Sequence, residues 1–200
     1  MSPSKIVITG TIASGKTTLS TLLEKLGFIV LSADDINREL LEIGGINYQS
    51  IKNSQIFAEV FDGEILDKKK LARLIFSDQE KLRQLNKLTH KNILNELESR
   101  INQIDQKVAF VEIPLYFQME EKFSCDEVWL VTADYETQLI RLMQRDNIDI
   151  SYAKEKIESQ EELISMQKQS DIIFDNSSSV ADLMKQLKIV LDKKDLLWKF

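Results

Sequence analysis

The residues with the clearest chemistry form one short run, Gly10-Thr11-Ile12-Ala13-Ser14-Gly15-Lys16-Thr17, continued by Thr18. They fit G-x-x-x-x-G-K-[ST] at every fixed position, the spacing of a phosphate-binding loop. Gly10 and Gly15 permit backbone conformations and close approaches that a Cβ would hinder. Main-chain N–H groups can then curl around phosphate oxygens at the positive end of a helix. Lys16 offers a point charge to β- and γ-phosphate oxygens, and Thr17 offers a hydroxyl ligand to Mg²⁺. The expectation is a site for a nucleoside triphosphate.

Carboxylates and arginines supply the remaining candidates. Asp34 and Asp35 follow the apolar run Phe28–Ser32. Either could accept a proton from an attacking hydroxyl or help to order Mg²⁺, and either could instead cap the helix that follows. Glu112 closes the run beginning at Val108. That resembles a Walker-B position, holding Mg²⁺ directly or through water. Arg141 and Arg145 lie four apart and so share a helical face. They suit the charge that develops on a transferred phosphoryl group, although such pairs are usually solvated surface. His90 is the only histidine, and an isolated one is more often a surface helix residue than a catalytic group. With no His/Cys cluster, structural zinc is excluded.

The elements that must position these groups follow from periodicity. Lys5–Thr9 is a β-branched strand stopped by Gly10, and Thr17–Leu26 carries apolar residues at helical spacing. Phe28–Ser32 reads as a second buried strand, completing a βαβ unit. Between Asp34 and Gln106 the pattern is helical, with breaks near Gly44-Gly45 and Asp62-Gly63 and no convincing strand. Leu82 to Leu97 belongs to one long amphipathic helix. Strands return at Val108–Ile113, Glu127–Thr132 and Asp171–Asp175. Helices are expected at Tyr135–Arg145, Tyr152–Gln169 and Val180–Trp198. The sum is an α/β three-layer domain.

Bulk properties set the outer bounds. The 200 residues suit one domain, and 43% hydrophobic content is enough for a core. A net charge of −6 argues against broad nucleic-acid or membrane-surface binding. The single Cys125 rules out an internal disulfide and favours a reducing compartment. The start has no signal-peptide pattern and no apolar run approaches a membrane span, so the expectation is a cytoplasmic protein. GTPase signatures are missing: Asn86-Lys87-Leu88-Thr89 lacks the Asp of N-K-x-D, and no Gly follows an Asp by three. A small-molecule kinase is favoured, with a non-transferring ATP sensor as the alternative from another class.

The order of these pieces resembles the dephospho-coenzyme A kinase family nearly end to end. The matching stretches are Thr9–Thr18, Leu26–Arg38, Leu88–Ile93, Val111–Phe117, Glu136–Asp146 and Ser170–Asn176. The resemblance implies a P-loop kinase fold with a five-stranded parallel sheet, a helical substrate-binding insertion and a lid. It divides the single domain into a nucleotide-binding core at 1–33 and 107–200, a substrate-binding region at 34–106, and a lid at 141–152. It implies ATP and Mg²⁺ as cofactors and dephospho-coenzyme A as substrate. Gly10, Ala13, Ser14, Gly15, Lys16, Thr17, Thr18, Arg141, Arg145 and Asn176 would bind nucleotide. Thr17 and Glu112 would hold metal, and Asp34, Arg38, His90, Pro114 and Leu115 would bind substrate. Asp34, Lys16 and Arg141 would be catalytic, with Asp34 rather than Asp35 as the base. The chain departs from the family pattern at Ser32, where an Asp is usual, at Lys91, where a Pro is common, at Gln118, usually an acid, at Thr11 and Ala13, both usually Gly, and at Leu163 and Met166, which stand after Gln160 where basic residues are frequent.

Overall fold

A computed structural model describes residues 2–159 and 163–196. In chain order the elements are β1 (Ser4–Gly10), α1 (Lys16–Lys25), β2 (Val30–Ser32), α2 (Ala33–Leu40), α3 (Ile46–Lys52), β3 (Phe61–Asp62), β4 (Ile65–Leu66), α4 (Lys68–Ser77) and α5 (Gln79–Ile101). They continue with β5 (Val108–Glu112), β6 (Glu127–Thr132), α6 (Tyr135–Asp146), α7 (Ile150–Glu158), α8 (Leu163–Lys168), β7 (Ile172–Asp175) and α9 (Val180–Lys193). Two compact units contain them, Met1–Leu31 with Ile104–Phe200, and Ser32–Gln103.

The first unit is built on a five-stranded parallel sheet of order β2-β5-β1-β6-β7. Its central strands are apolar at nearly every position, as strands covered on both faces must be. Ile6, Val7 and Ile8 of β1, Phe110 of β5, Trp129 of β6 and Phe174 of β7 are at most 3% exposed. Phe28, Phe110, Trp129 and Phe174 form a chain of tilted and edge-to-face ring contacts, with centroids 5.0–5.4 Å apart. Leu19, Leu22 and Leu23 of α1 and Leu183, Leu187 and Leu191 of α9 seal this core cluster. All strands point the same way, so their C-terminal ends share one edge, where such sheets bind ligands.

The second unit is mainly helical. Asn47 is fully buried and donates to Asn37 Oδ1 at 2.9 Å while accepting from Asn92 Nδ2 at 2.9 Å, tying α2, α3 and α5 together. Tyr48, Ile51, Phe57, Val60, Leu66 and Leu71 form its apolar cluster.

Four expectations need correction. The middle segment does contain strands: Phe61 pairs with Leu66 and Asp62 with Ile65 in an antiparallel hairpin. Asp62-Gly63 is a hairpin-turn signal, and Gly63 sits at φ 60°, but two-residue arms are too short to show alternation. The long helix expected at Tyr152–Gln169 is α7 and α8, with Ser159 capping the first and Gln169 in a turn after the second; 160–162 lie outside the described residues. The second strand keeps only Val30–Ser32, and β5 separates it from β1. The helix expected to reach Trp198 is described to Lys193, with Leu196 packed against the core and 197–200 outside the described residues. Among the described residues no helix is long and apolar enough to cross a membrane.

Candidate active site

The loop between β1 and α1 is held by contacts that explain its residue types. A Cβ on Gly10 would lie 2.2 Å from the Val131 carbonyl oxygen of β6, so only glycine lets the two strands meet at this register. Gly15 caps α1 at φ 92°, and a Cβ there would lie 2.2 Å from Asn176 Nδ2. Ala13 also takes a left-handed backbone, at φ 55°. Lys16 Nζ donates to the carbonyls of Gly10 and Thr11 at 3.0 and 2.9 Å. Thr17 is exposed, Thr18 is half-buried, and Ser14 is fully buried. The helix opens with no acidic residue in its first turn, which leaves its positive end to an anion.

Asn176, which follows β7, joins several of these parts. Its Nδ2 donates to the Ser14 carbonyl at 2.8 Å, and its own carbonyl accepts from Arg141 Nη2 at 3.0 Å. Arg141 Nη1 and Asn176 Oδ1 are buried without a hydrogen-bond partner among the described residues. A guanidinium nitrogen in that condition is suited to a ligand oxygen.

Glu112 reaches back to α1. Thr17 Oγ1 donates to its Oε1 at 3.2 Å, and Ser20 Oγ donates to its Oε2 at 2.5 Å. A hydroxyl and a carboxylate are the hard oxygen donors that Mg²⁺ takes alongside phosphate oxygens, so the donor set fits that ion. Among the described residues no group of three or more His, Cys, Asp and Glu could form a cage by itself.

Arg145 is exposed and bonded to Asp146 at 2.7 Å, and Lys156 Nζ reaches the same carboxylate at 3.3 Å. The Arg145 bond, with help from Lys156, holds the Asp146 carboxyl below the usual carboxylate range. Arg141 and Arg145 therefore differ in environment although they share a helix. Following β5, the Pro114 carbonyl accepts from Thr9 Oγ1 at 3.3 Å, and Leu115 is 56% exposed.

In the second unit, Asp34 and Asp35 are exposed in the first turn of α2. Neither caps the helix. Ser32 does, accepting from the Asp35 N–H at 3.2 Å. Asp35 instead pairs with Arg38 at 2.8 Å. His90 is half-buried on α5. Sequence reasoning missed Ser20. Its signal was the spacing of three from Thr17, which puts both hydroxyls on one face of α1.

A phosphate loop at the C-terminal edge of a parallel sheet, with an acid closing the adjacent strand, defines a P-loop nucleotide-binding protein of the kinase type. The dephospho-CoA kinase family model matches residues 5–182. A dephospho-CoA kinase of Carboxydothermus hydrogenoformans is 35% identical over 98% of this chain and 94% of its own length. One from Fusobacterium nucleatum is 34% identical over 92% and 94% of the two chains. The crystal structure of a Thermus thermophilus protein superposes with a TM-score of 0.83 at 30% identity, covering 96% of this chain and 98% of the other. Dephospho-CoA kinase from Campylobacter jejuni gives 0.62 at 27% identity, covering 96% and 97%. A shikimate kinase from Acinetobacter baumannii, 16% identical with a TM-score of 0.54, shares the fold. The chain belongs to the dephospho-CoA kinase family.

Proposed function

We propose that this protein transfers the γ-phosphoryl group of ATP to the ribose 3′-hydroxyl of dephospho-coenzyme A, giving coenzyme A and ADP in the last step of coenzyme A synthesis. The observation that carries this reading is the complete phosphate loop, Gly10 to Thr17, inside a family match that spans residues 5–182.

The backbone of residues 10–18 cradles the phosphates, and Lys16 moves from the loop carbonyls to phosphate oxygens. Arg141, anchored through Nη2 on the Asn176 carbonyl, presents Nη1 to the nucleotide. Arg145 can engage phosphate once Asp146 releases it, which suits a lid at 141–152. Asp34 takes the proton of the 3′-hydroxyl as that oxygen attacks phosphorus. The bond from phosphorus to the ADP oxygen breaks in line, and ADP leaves with the electron pair. Arg38, His90, Pro114 and Leu115 are assigned to the acceptor. Thr17 and Glu112 would hold Mg²⁺, which when bound neutralises charge on the β- and γ-phosphates. Most of the rate enhancement is positioning and charge stabilisation, because phosphoryl transfer asks little covalent chemistry of the protein. The single half-buried Cys125 supports a cytoplasmic setting.

The test is ADP release from ATP and Mg²⁺ with and without dephospho-coenzyme A, with the product identified by mass. Acceptor-dependent release and an acceptor heavier by one phosphate, both lost in Lys16→Ala, are expected. ATP binding without acceptor-dependent turnover overturns the reading in favour of a nucleotide sensor. Turnover only with a nucleoside or shikimate in an acceptor panel overturns the choice of substrate.

A further inference from the structure

Ser20 is 5% exposed on a helix whose other inward residues are leucines, and nothing in the mechanism above uses it. Its hydroxyl donates to Glu112 Oε2 at 2.5 Å, while Thr17 donates to Oε1 of the same carboxylate at 3.2 Å. The two hydroxyls therefore grip the two oxygens of one carboxylate from positions i and i+3 of α1. We propose that Ser20 is a positioning residue for the metal site, acting through Glu112 on Thr17. This rests on the assignment of Thr17 and Glu112 to Mg²⁺.

The physical argument concerns where the Thr17 proton points. A hydroxyl that ligates a cation must turn a lone pair to the metal and its proton away from it. Glu112 Oε1 is the acceptor that receives this proton. A carboxylate held by Thr17 alone can rotate about its terminal torsion, which has broad wells. Ser20 fixes the second oxygen from a buried position, so the plane of the carboxylate, and with it the lone pair of Thr17, is set before nucleotide arrives. Second-layer partners of this kind tune a ligand without touching the ion.

The structural alternative is that Glu112 merely satisfies a buried serine, and the two readings separate in a metal titration. The probe is Mn²⁺, followed by electron paramagnetic resonance, added to protein saturated with a non-hydrolysable ATP analogue. The affinity for the same analogue in EDTA and the melting temperature are measured in parallel. Ser20→Ala is expected to weaken Mn²⁺ about tenfold while analogue affinity in EDTA stays within about twofold. Ser20→Cys, similar in size but a weak donor, repeats the loss, and Ser20→Thr recovers it. Glu112→Gln weakens Mn²⁺ by itself, and Ser20→Ala adds less than about twofold in that background because the path already lacks its middle member. Normal Mn²⁺ affinity in Ser20→Ala beside a loss in Glu112→Gln overturns the role of Ser20 alone. Normal affinity in both overturns it together with the metal assignment. Equal losses with and without metal reduce Ser20 to a structural residue.

Discussion

At the scale of single residues, the phosphate loop carries one position where stability and sequence oppose each other. Ala13 holds a left-handed backbone at φ 55°, a conformation that favours glycine. That conformation costs a residue with a Cβ roughly 1–2 kcal/mol. Glycine would remove this cost but bring back about 0.5–1 kcal/mol of unfolded-state entropy. The first term is larger, so Ala13→Gly should stabilise by about 0.5–1 kcal/mol, read from the urea midpoint; a destabilised variant would show that Ala13 is not strained. Asp34→Asn is expected to fold normally and lose about 10²-fold or more in kcat, as removal of a positioned proton acceptor does. Full kcat in that variant would remove Asp34 from the reaction. The loop was legible because its residues are consecutive and each type has one reason. Ser20 and Glu112 are 92 positions apart, and Asn176 and Ser14 are 162 apart, so no local pattern announces either pair. The arginines were legible as a pair, but the inward position of Arg141 and the Asp146 contact of Arg145 are products of packing.

Secondary-structure elements reveal a different balance between sequence and structure. β1, β5 and β6 could be read directly because buried parallel strands are apolar without interruption. β7, an edge strand on which Ile173 is 44% exposed, was legible only from its apolar run Ile172–Phe174. The small hairpin could not, since two residues per arm carry no period. Ser32 is the most instructive case. In sequence it is a missing family carboxylate; in structure it is the N-cap of α2, a task that Ser and Asp perform about equally well. Ser32→Ala should therefore cost about 1 kcal/mol, whereas Ser32→Asp should stay within about 0.5 kcal/mol of the parent. Denaturant melts of the two variants decide the matter, and equal losses would deny the cap. α9 offers a second contrast on one helix. Leu187 is 0% exposed and Ile189 is 55% exposed. Leu187→Ala is expected to destabilise by roughly 2–5 kcal/mol through the cavity it leaves under α1 and the sheet. Ile189→Ala should stay within about 0.5 kcal/mol, and similar effects at both positions would mean that α9 does not pack as described.

For the molecule as a whole, acid sensitivity follows from carboxylates distributed over both units. In the first, the Asp126 carboxyl lies below its ordinary range, chiefly because the Lys5 N–H donates to it at 2.7 Å and the Ser4 hydroxyl adds a second bond. Asp134, which caps α6 through the Thr137 N–H, and Asp182, bonded by Ser179 and Lys185, are lowered as well. In the second unit Asp67 is lowered by the Lys70 and Lys69 N–H groups it caps, and Glu39 by Arg100. A carboxyl whose folded pKa is depressed binds its proton more weakly in the native state than in the unfolded one. Its stabilisation is complete above the unfolded value of about 3.9–4.3 and disappears as pH falls through the folded value. Below that point the 26 lysines and arginines are no longer balanced by the 32 acids, and self-repulsion adds to the loss. Stability should thus be level from neutral pH to about 5 and fall steeply below about 4. Asp126→Asn isolates one contributor, because the amide keeps the shape and loses the charge that strengthens the bond from Lys5. Its urea midpoint should lie below the parent's at pH 7 and converge with it near the acid limit, where Asp126 of the parent is protonated too. A gap between the two that stays constant down the pH scale would mean that Asp126 acts through shape alone and that the charge at the start of β1 contributes nothing.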